Sequence, residues 1–435
     1  MLLPVLSLML TLLHAPLAEA QESAAGLPEP LSRPVQAAPA GPLTLADCYR
    51  MALARSETIA LQRELIVQTE ARLRQALSGA LPRASFQYSN RRQDGTGSSN
   101  FTLREIPESK FVVTQPLFSG FREFAATQAA RHEKRQRRHE QARAEHLLMV
   151  DVANAFFLVR EQREDLIALE TTRSILMARL DELAERERLG RTRPTELASV
   201  EAQLRRVEAD WVSAAAREAA ARQLLEFLVG APVEAVLDLP AAVPPVEPES
   251  AYLSRVAQRP DVWAAAEALR SAGKGVGVAR ADFWPDVDLE GNYYTERVGN
   301  AADVKWDVML LVDVPLFQGG EAAAAHREAK SLERQAQLSY ERLVREATLD
   351  VRDKYTQFLS AVARANALRQ AVTAAETHYR LQAEDYSRSL VDNLEVLRAL
   401  EDLQEARRQL IAATHETKRL YWQLQAAVGR TVASS

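Results

Sequence analysis

The chain has little of what normally stabilises a small exported domain. It has one cysteine in 435 residues, Cys48, so no disulfide can form within it. Glycine and proline are sparse and gather at a few points, leaving long tracts of Ala, Glu, Arg, Leu and Gln. Such tracts favour extended helices packed through narrow seams over a compact globule. Beyond the first 20 residues no apolar run reaches the roughly 18 that a membrane helix needs. The net charge of −5 is too mild to imply a polyanionic partner, so nucleic acid is not expected. No nucleophile, base and orienting group recur together, so neither an enzyme nor a cofactor is expected.

Residues 1–20 have an apolar core, LLPVLSLMLTLL, and end in Ala18-Glu19-Ala20, a small-x-small cleavage site. They lack the usual basic start, but the pattern is that of a secretory signal. A Pro/Ala-rich leader, expected to be disordered, fills 21–42. Cys48 sits inside a helical pattern, not directly after the signal, so a lipid-modified start is not expected. An exported chain without an apolar helix can span only an outer membrane, and only as a closed barrel.

One stretch occurs twice, as FVVTQPLFSG (Phe111 to Gly120) and LLVDVPLFQG (Leu310 to Gly319). Each couples strand-like alternation to Pro-Leu-Phe, a glycine and a long helical tract. Phe111, Val113 and Leu117 share a face, as do Trp306, Val308, Leu310 and Val312. Lys110 and Thr114 lie opposite, with Asp307 and Asp313 in the second copy. One greasy face and one polar face, at about ten residues per strand, is the outer-membrane barrel pattern. The first set is therefore expected to face lipid and the second the lumen.

The duplication extends along the chain. Thr44 caps a helix expected to run to about Ser78; Ala84, Phe86 and Tyr88 then alternate as a first strand, and a loop follows from Asp94 to Asn100. A helix of about 100 Å is expected from Phe121 to Leu189, with Phe156, Val159, Leu166, Leu169, Leu176, Leu180 and Leu183 at coiled-coil spacing. A turn at Gly190 to Pro194 leads to a return helix ending at Gly230. The pattern then repeats from Arg259-Pro260-Asp261, with a second long helix over Glu321 to Arg388 and its return ending near Gly429. The expected division is a first helix-strand-strand-helix-helix repeat over 43–234, a Pro-rich linker over 235–250, a second repeat over 251–430 and a tail over 431–435. The fold class is mainly α with a small β part. Two strands per repeat are too few to close a barrel, so closure requires a dimer of eight strands or a trimer of twelve.

The duplicated units, PLFSG and PLFQGG after a strand, and RPDVWAAAEALRSAGKGVGVARADFWPDVDL together resemble the TolC family of outer-membrane factors, the outer membrane efflux proteins. The resemblance covers essentially the whole mature chain. It implies a homotrimer with a twelve-strand barrel in outer-membrane lipid, a long periplasmic α-helical tunnel and a closable tip. It also implies passive export from an inner-membrane pump, proton-driven or ABC, through a periplasmic adaptor protein. The second-copy wording is closest to drug and metal efflux members. In the family the tip turn has a glycine followed six residues later by an acid, then Val-Leu-x-Ala. The second copy here has Ser389, then Glu395-Val396-Leu397-Arg398-Ala399, and the first has Gly190 followed by Glu196. Glu395 is thereby a candidate for an acidic constriction, with Asp392, Arg398 and Glu196 as neighbours. Ser389 replaces the glycine, and Arg398 stands where a second acid often occurs. A plainer reading makes Asp392 and Glu395 the start of the return helix, with Arg398 paired to Glu395 one turn on.

Three other features have structural readings. Gly273-Lys274-Gly275-Val276-Gly277 lacks the spacing and context of a phosphate loop and is placed at a helix-to-strand junction equivalent to Gly79. Arg131 to Arg138 is interleaved with Glu133 and is a solvated helix face. His132, His139 and His146 recur at heptad spacing, but neighbours about 10 Å apart along a helix cannot share one ion. They are expected to form a hydrated polar stripe and not a metal site. Competing functions are a non-conducting coiled-coil envelope protein, a type I protein-secretion outer-membrane channel and a periplasmic adaptor. Four amphipathic strands argue against a mere stalk, and no lipoyl-like β pattern supports an adaptor.

Overall fold

A computed structural model describes residues 41–94, 103–236 and 246–432. The signal and most of the leader, the Pro-rich linker, the first strand loop and the C-terminal tail lie outside the described residues. Within them the elements follow in two matching series. The first is α1 (Leu45–Arg55), α2 (Glu57–Ser78), β1 (Arg83–Arg92), β2 (Glu105–Ser119), α3 (Arg122–Arg188) and α4 (Pro194–Val229). The second is α5 (Glu249–Leu253), a short 3-10 turn, α6 (Pro260–Ala281), β3 (Asp286–Arg297), β4 (Trp306–Asp313), α7 (Glu321–Ser387) and α8 (Asn393–Ala427).

Thr44 opens α1 with a reciprocal capping box: its hydroxyl accepts from the Asp47 amide at 3.2 Å and its own amide donates to the Asp47 carboxylate. The single helix expected from Thr44 to Ser78 is in fact two. At Ser56 the backbone becomes extended, and the serine hydroxyl caps α2 through the Ile59 amide. The break turns Cys48, Tyr49 and Ala52 into a core with Met149, Val152 and Phe156 of α3 and Leu225 and Val229 of α4.

The long helices α3 and α7 each have 67 residues, about 100 Å at 1.5 Å per residue. Along α3 the apolar seam is Leu169, Leu176 and Leu183, packed on Val200, Leu204, Val207 and Ala214 of α4 and on Leu397 and Leu400 of α8. Heptad spacing keeps that seam on one side, so two hairpins lie side by side. A third core joins Val262 of α6 to Val351 and Phe358 of α7 and Leu424 of α8.

The four strands form one antiparallel sheet in chain order, β1-β2-β3-β4. The two hairpins share a register: Arg83 pairs with Thr114 and Phe86 with Phe111, just as Asp286 pairs with Asp313 and Leu289 with Leu310. Strands β2 and β3 join the repeats, with Phe111 opposite Tyr293 and Thr114 opposite Glu290. The alternation expected to carry Leu117 on with Phe111 and Val113 breaks at a register shift between Pro116 and Phe118, where the proline supplies no amide donor.

Two further expectations are corrected. Gly273 to Gly277 lies in the interior of α6, not at its end, where intrahelical bonds occupy the backbone amides. Small residues are used there for close approach: a side chain at Gly277 would meet Ala125 of α3 at 3.2 Å. The histidines of α3 do not form a hydrated stripe but face the second repeat. His132 Nδ1 lies 2.7 Å from the buried Glu267 carboxylate of α6, and His139 stacks on Trp263. Burial, with Arg143 beside it, pushes the His146 imidazole below its ordinary value.

Candidate functional site

Two places bear the sequence-predicted site residues: the sheet, and the turns at the opposite ends of α3 and α7. In the sheet, pairing aligns Phe86 with Phe111, Val113 with Gly291, Tyr293 with Trp306, Leu289 with Leu310 and Val287 with Val312. Phe111, Val113, Trp306, Val308, Leu310 and Val312 thus share one face, and all are exposed in a single chain. Lys110, Thr114, Asp307 and Asp313 lie on the other.

That second face carries a connected polar network. The Asp307 carboxylate accepts from Asn292 Nδ2 at 3.0 Å and from the Tyr294 hydroxyl at 2.9 Å. The Arg297 guanidinium lies 4.0 Å from the Tyr294 ring and 3.5 Å from the Glu108 carboxylate, which also pairs with Lys110 at 3.6 Å. Thr114 and Asp313 stand apart from this network, opposite Glu290 and Asp286. Asn292, Tyr294 and Arg297 are not among the lumen-facing residues that the sequence points to, because their partners lie on other strands. Met309 and Leu311 also lie on this face, so β4 alternates less cleanly than β2.

At the other end, Gly190 and Ser389 close the turns with φ of +71° and +62°. Each turn has the same bonds: Arg191 N to Arg186 O at 2.8 Å and Leu390 N to Asp385 O at 2.9 Å bring the chain out of the helix. Asp392 then caps α8, its carboxylate accepting the Glu395 amide at 3.1 Å. Glu395 pairs with Arg398 at 2.9 Å, both exposed. Glu196 is not with them. It accepts from Thr192 at 2.9 Å and from the Tyr386 hydroxyl at 3.4 Å, so it joins the two hairpins. The Arg179 guanidinium lies 3.9 Å from the Tyr386 ring, and its Nε donates to the wholly buried Asn393 at 3.1 Å. Tyr386, Arg179 and Asn393 had no signal in a single sequence, because their partners are about 200 residues away.

The outer membrane efflux protein family model matches residues 254–430, which include β3, β4, α7 and α8. The second repeat thus resembles the outer membrane efflux protein family. Relatives include the alkaline protease secretion protein AprF of Pseudomonas aeruginosa, 28% identical over 51% of this chain and 49% of that one. The cation efflux system protein CusC of Escherichia coli is 26% identical over 35% of each chain. These matches span about half or less of the curated relatives. Among solved structures, CusC aligns with a TM-score of 0.77 at 18% identity, covering 88% of this chain and 91% of that one. The outer membrane protein VceC of Vibrio cholerae aligns with a TM-score of 0.77 at 20% identity, covering 89% and 96%. At such identity the structural likeness speaks to the fold alone: long helical hairpins joined to a small antiparallel sheet.

Proposed function

We propose that this chain is the outer-membrane channel of a tripartite efflux or export system, a passive conduit from periplasm to exterior. The observation that carries the reading is the sheet. It has one mainly apolar face and one mainly polar face, is open at both edges, and is fused to helices about 100 Å long. A closed barrel made from several such sheets satisfies the backbone in lipid and lines a wet pore. The chain resides in the outer membrane with a periplasmic extension, assembled as a homotrimer, and its division into repeats over 43–234 and 251–430 supplies two strands and one hairpin from each. It joins an inner-membrane pump through a periplasmic adaptor protein, and no catalytic step is involved.

The turns at Gly190 and Ser389 form the closable tip. Glu395 faces the axis there, with Asp392 as helix cap, Arg398 as partial counter-charge and Glu196 holding the hairpins together through Tyr386. Rings of carboxylates in a pore favour cations. Protein secretion is the second reading, favoured by the relative named for alkaline protease secretion, whose match spans more of this chain than the cation-efflux one. Reconstitution in planar bilayers tests the channel: discrete conductance steps with cation preference are expected. A preparation that inserts but never conducts would leave the non-conducting envelope protein as the better reading.

A further inference from the structure

We infer that His146 is a proton-operated wedge between the two repeats, which lets them close while it is neutral and parts them when it takes up a proton. The ring sits where three helices meet. It reaches from α3 of the first repeat to Gly429, just beyond α8, and Pro260, the first residue of α6. A side chain built on Gly429 would lie 3.7 Å from His146 Cε1 and 3.6 Å from Pro260 Cδ. Packing at that distance leaves little slack, so a change at the imidazole is felt by both repeats.

The charged side chains around the ring are already committed to this junction. Arg259, 3% exposed, donates to the two oxygens of Asp261 at 3.0 and 2.7 Å, to Asp350 of α7 at 2.9 Å and to the Ala427 carbonyl at 3.0 Å. Arg143, one turn before His146, lies 3.4 Å from Asp261 and donates to the Ala426 carbonyl at 3.2 Å. The two guanidiniums thus occupy the last carbonyls of α8, where an imidazolium would otherwise be favoured. Lys354 of α7 joins Arg143 and Asp350 in lining a cavity of about 260 Å³. From α1 the Tyr49 hydroxyl donates to the Glu145 carbonyl at 3.2 Å and, pushed up to about 12 by burial, carries no charge. The Glu145 carboxylate accepts from Gln141. Arg143, Arg259 and Lys354 therefore face Asp261 and Asp350, and a proton on His146 adds a fourth cation against the same two carboxylates. Hydrogen bonding points the same way. His146 Nδ1 is buried without a partner among the described residues. A neutral ring can leave that nitrogen bare, whereas an imidazolium carries a hydrogen on both and would bury an unmet donor. Opening the junction toward the cavity, which has room for water, relieves both costs and parts α3 from α6 and α8.

Burial and Arg143 hold the imidazole below its ordinary value of 6.5, with Asp261 opposing them. A base depressed by folding contributes stability that is complete above 6.5 and is lost as pH falls below it. The Glu267 carboxyl, held at about 2, responds in a lower window, so the two sites are separable. Thermal unfolding of the full-length protein in mild detergent, between about pH 8 and about pH 5, tests the wedge. The wild-type midpoint should fall by several degrees across that range. His146→Gln, similar in size but unable to gain a proton, should fall much less, and the difference isolates this ring from the other histidines. Arg143→Gln removes a facing cation, so its profile should also flatten, whatever its absolute stability. A His146→Gln profile parallel to wild type would reduce His146 to a packing residue and overturn the inference. Should that variant fail to fold, an Arg143→Gln profile as steep as wild type overturns it equally. The channel reading stands apart from either result.

Discussion

Ser389 takes the same left-handed backbone as Gly190, φ +62° against +71°, at the equivalent turn of the other hairpin. An L-residue with a Cβ pays roughly 1–2 kcal/mol there, and glycine gives back part of that through its freer unfolded chain. Ser389→Gly is therefore expected to stabilise the tip by up to about 1 kcal/mol, and Gly190→Ser to destabilise it by a similar amount. Chemical unfolding of the two variants against wild type reads the signs. Equal effects of the same sign would mean the turns are not equivalent.

Truncating Arg179 should cost more than any exposed ion pair at the tip. Its Nε is a partner of the fully buried Asn393, and its guanidinium covers the Tyr386 ring. Leaving a buried amide unpaired costs about 1–3 kcal/mol. Arg179→Ala is expected to lower stability by that amount, while Arg398→Ala, which breaks an exposed pair, should change it by less than about 1 kcal/mol. Denaturation midpoints compare them directly.

The sheet faces predict an ordering of insertion defects. Val308→Asp, Leu310→Asp and Val312→Asp put charge on the proposed lipid face, where it costs about 2–4 kcal/mol for the worst residues and less for Asp. Asp307→Asn and Asp313→Asn should insert normally. Quantifying each variant in isolated outer membranes checks this, and the opposite ordering would mean that the faces are reversed.

Much of this was legible in one sequence because it is periodic. The duplicated strand-Pro-Leu-Phe-Gly stretch, the heptads of α3 and the alternation of Phe111 and Val113 follow from local spacing. The break at Ser56 was not legible, since serine is unremarkable within a helix until its hydroxyl finds the Ile59 amide. The same holds for Gly273 to Gly277, whose glycines look like a loop but serve close helix packing. At the candidate tip, Asp392 and Glu395 were legible as a helix start. The bonds from Arg179 to Asn393 and from Tyr386 to Glu196 were not, because only the packed hairpins bring them together.

Charge at the tip should tune ion preference. Glu395→Gln removes the proposed carboxylate from the axis and is expected to lower cation selectivity in planar bilayers without dissociating the assembly. Arg398→Ala frees that carboxylate from its partner and should raise the selectivity. If both leave reversal potentials unchanged, Glu395 acts only at the start of α8.

Acid should loosen the contact between the repeats. Burial opposes ionisation of Glu267, but bonds from His132, Arg135 and Arg270 outweigh it and hold the carboxyl at about 2, against 4.5 for a free glutamate. A depressed carboxyl contributes stability above pH 4.5 that is lost as pH falls through about 2. Glu267→Gln should flatten the stability profile across that window. A profile as steep as wild type would assign the acid sensitivity to other groups.

The mass of the assembly tests the shared barrel most directly. Four strands leave two open edges, which lipid does not tolerate. Native mass spectrometry of the protein extracted from outer membrane in mild detergent is expected to find three chains in one particle. A stable, folded single chain in the same detergent would contradict the account.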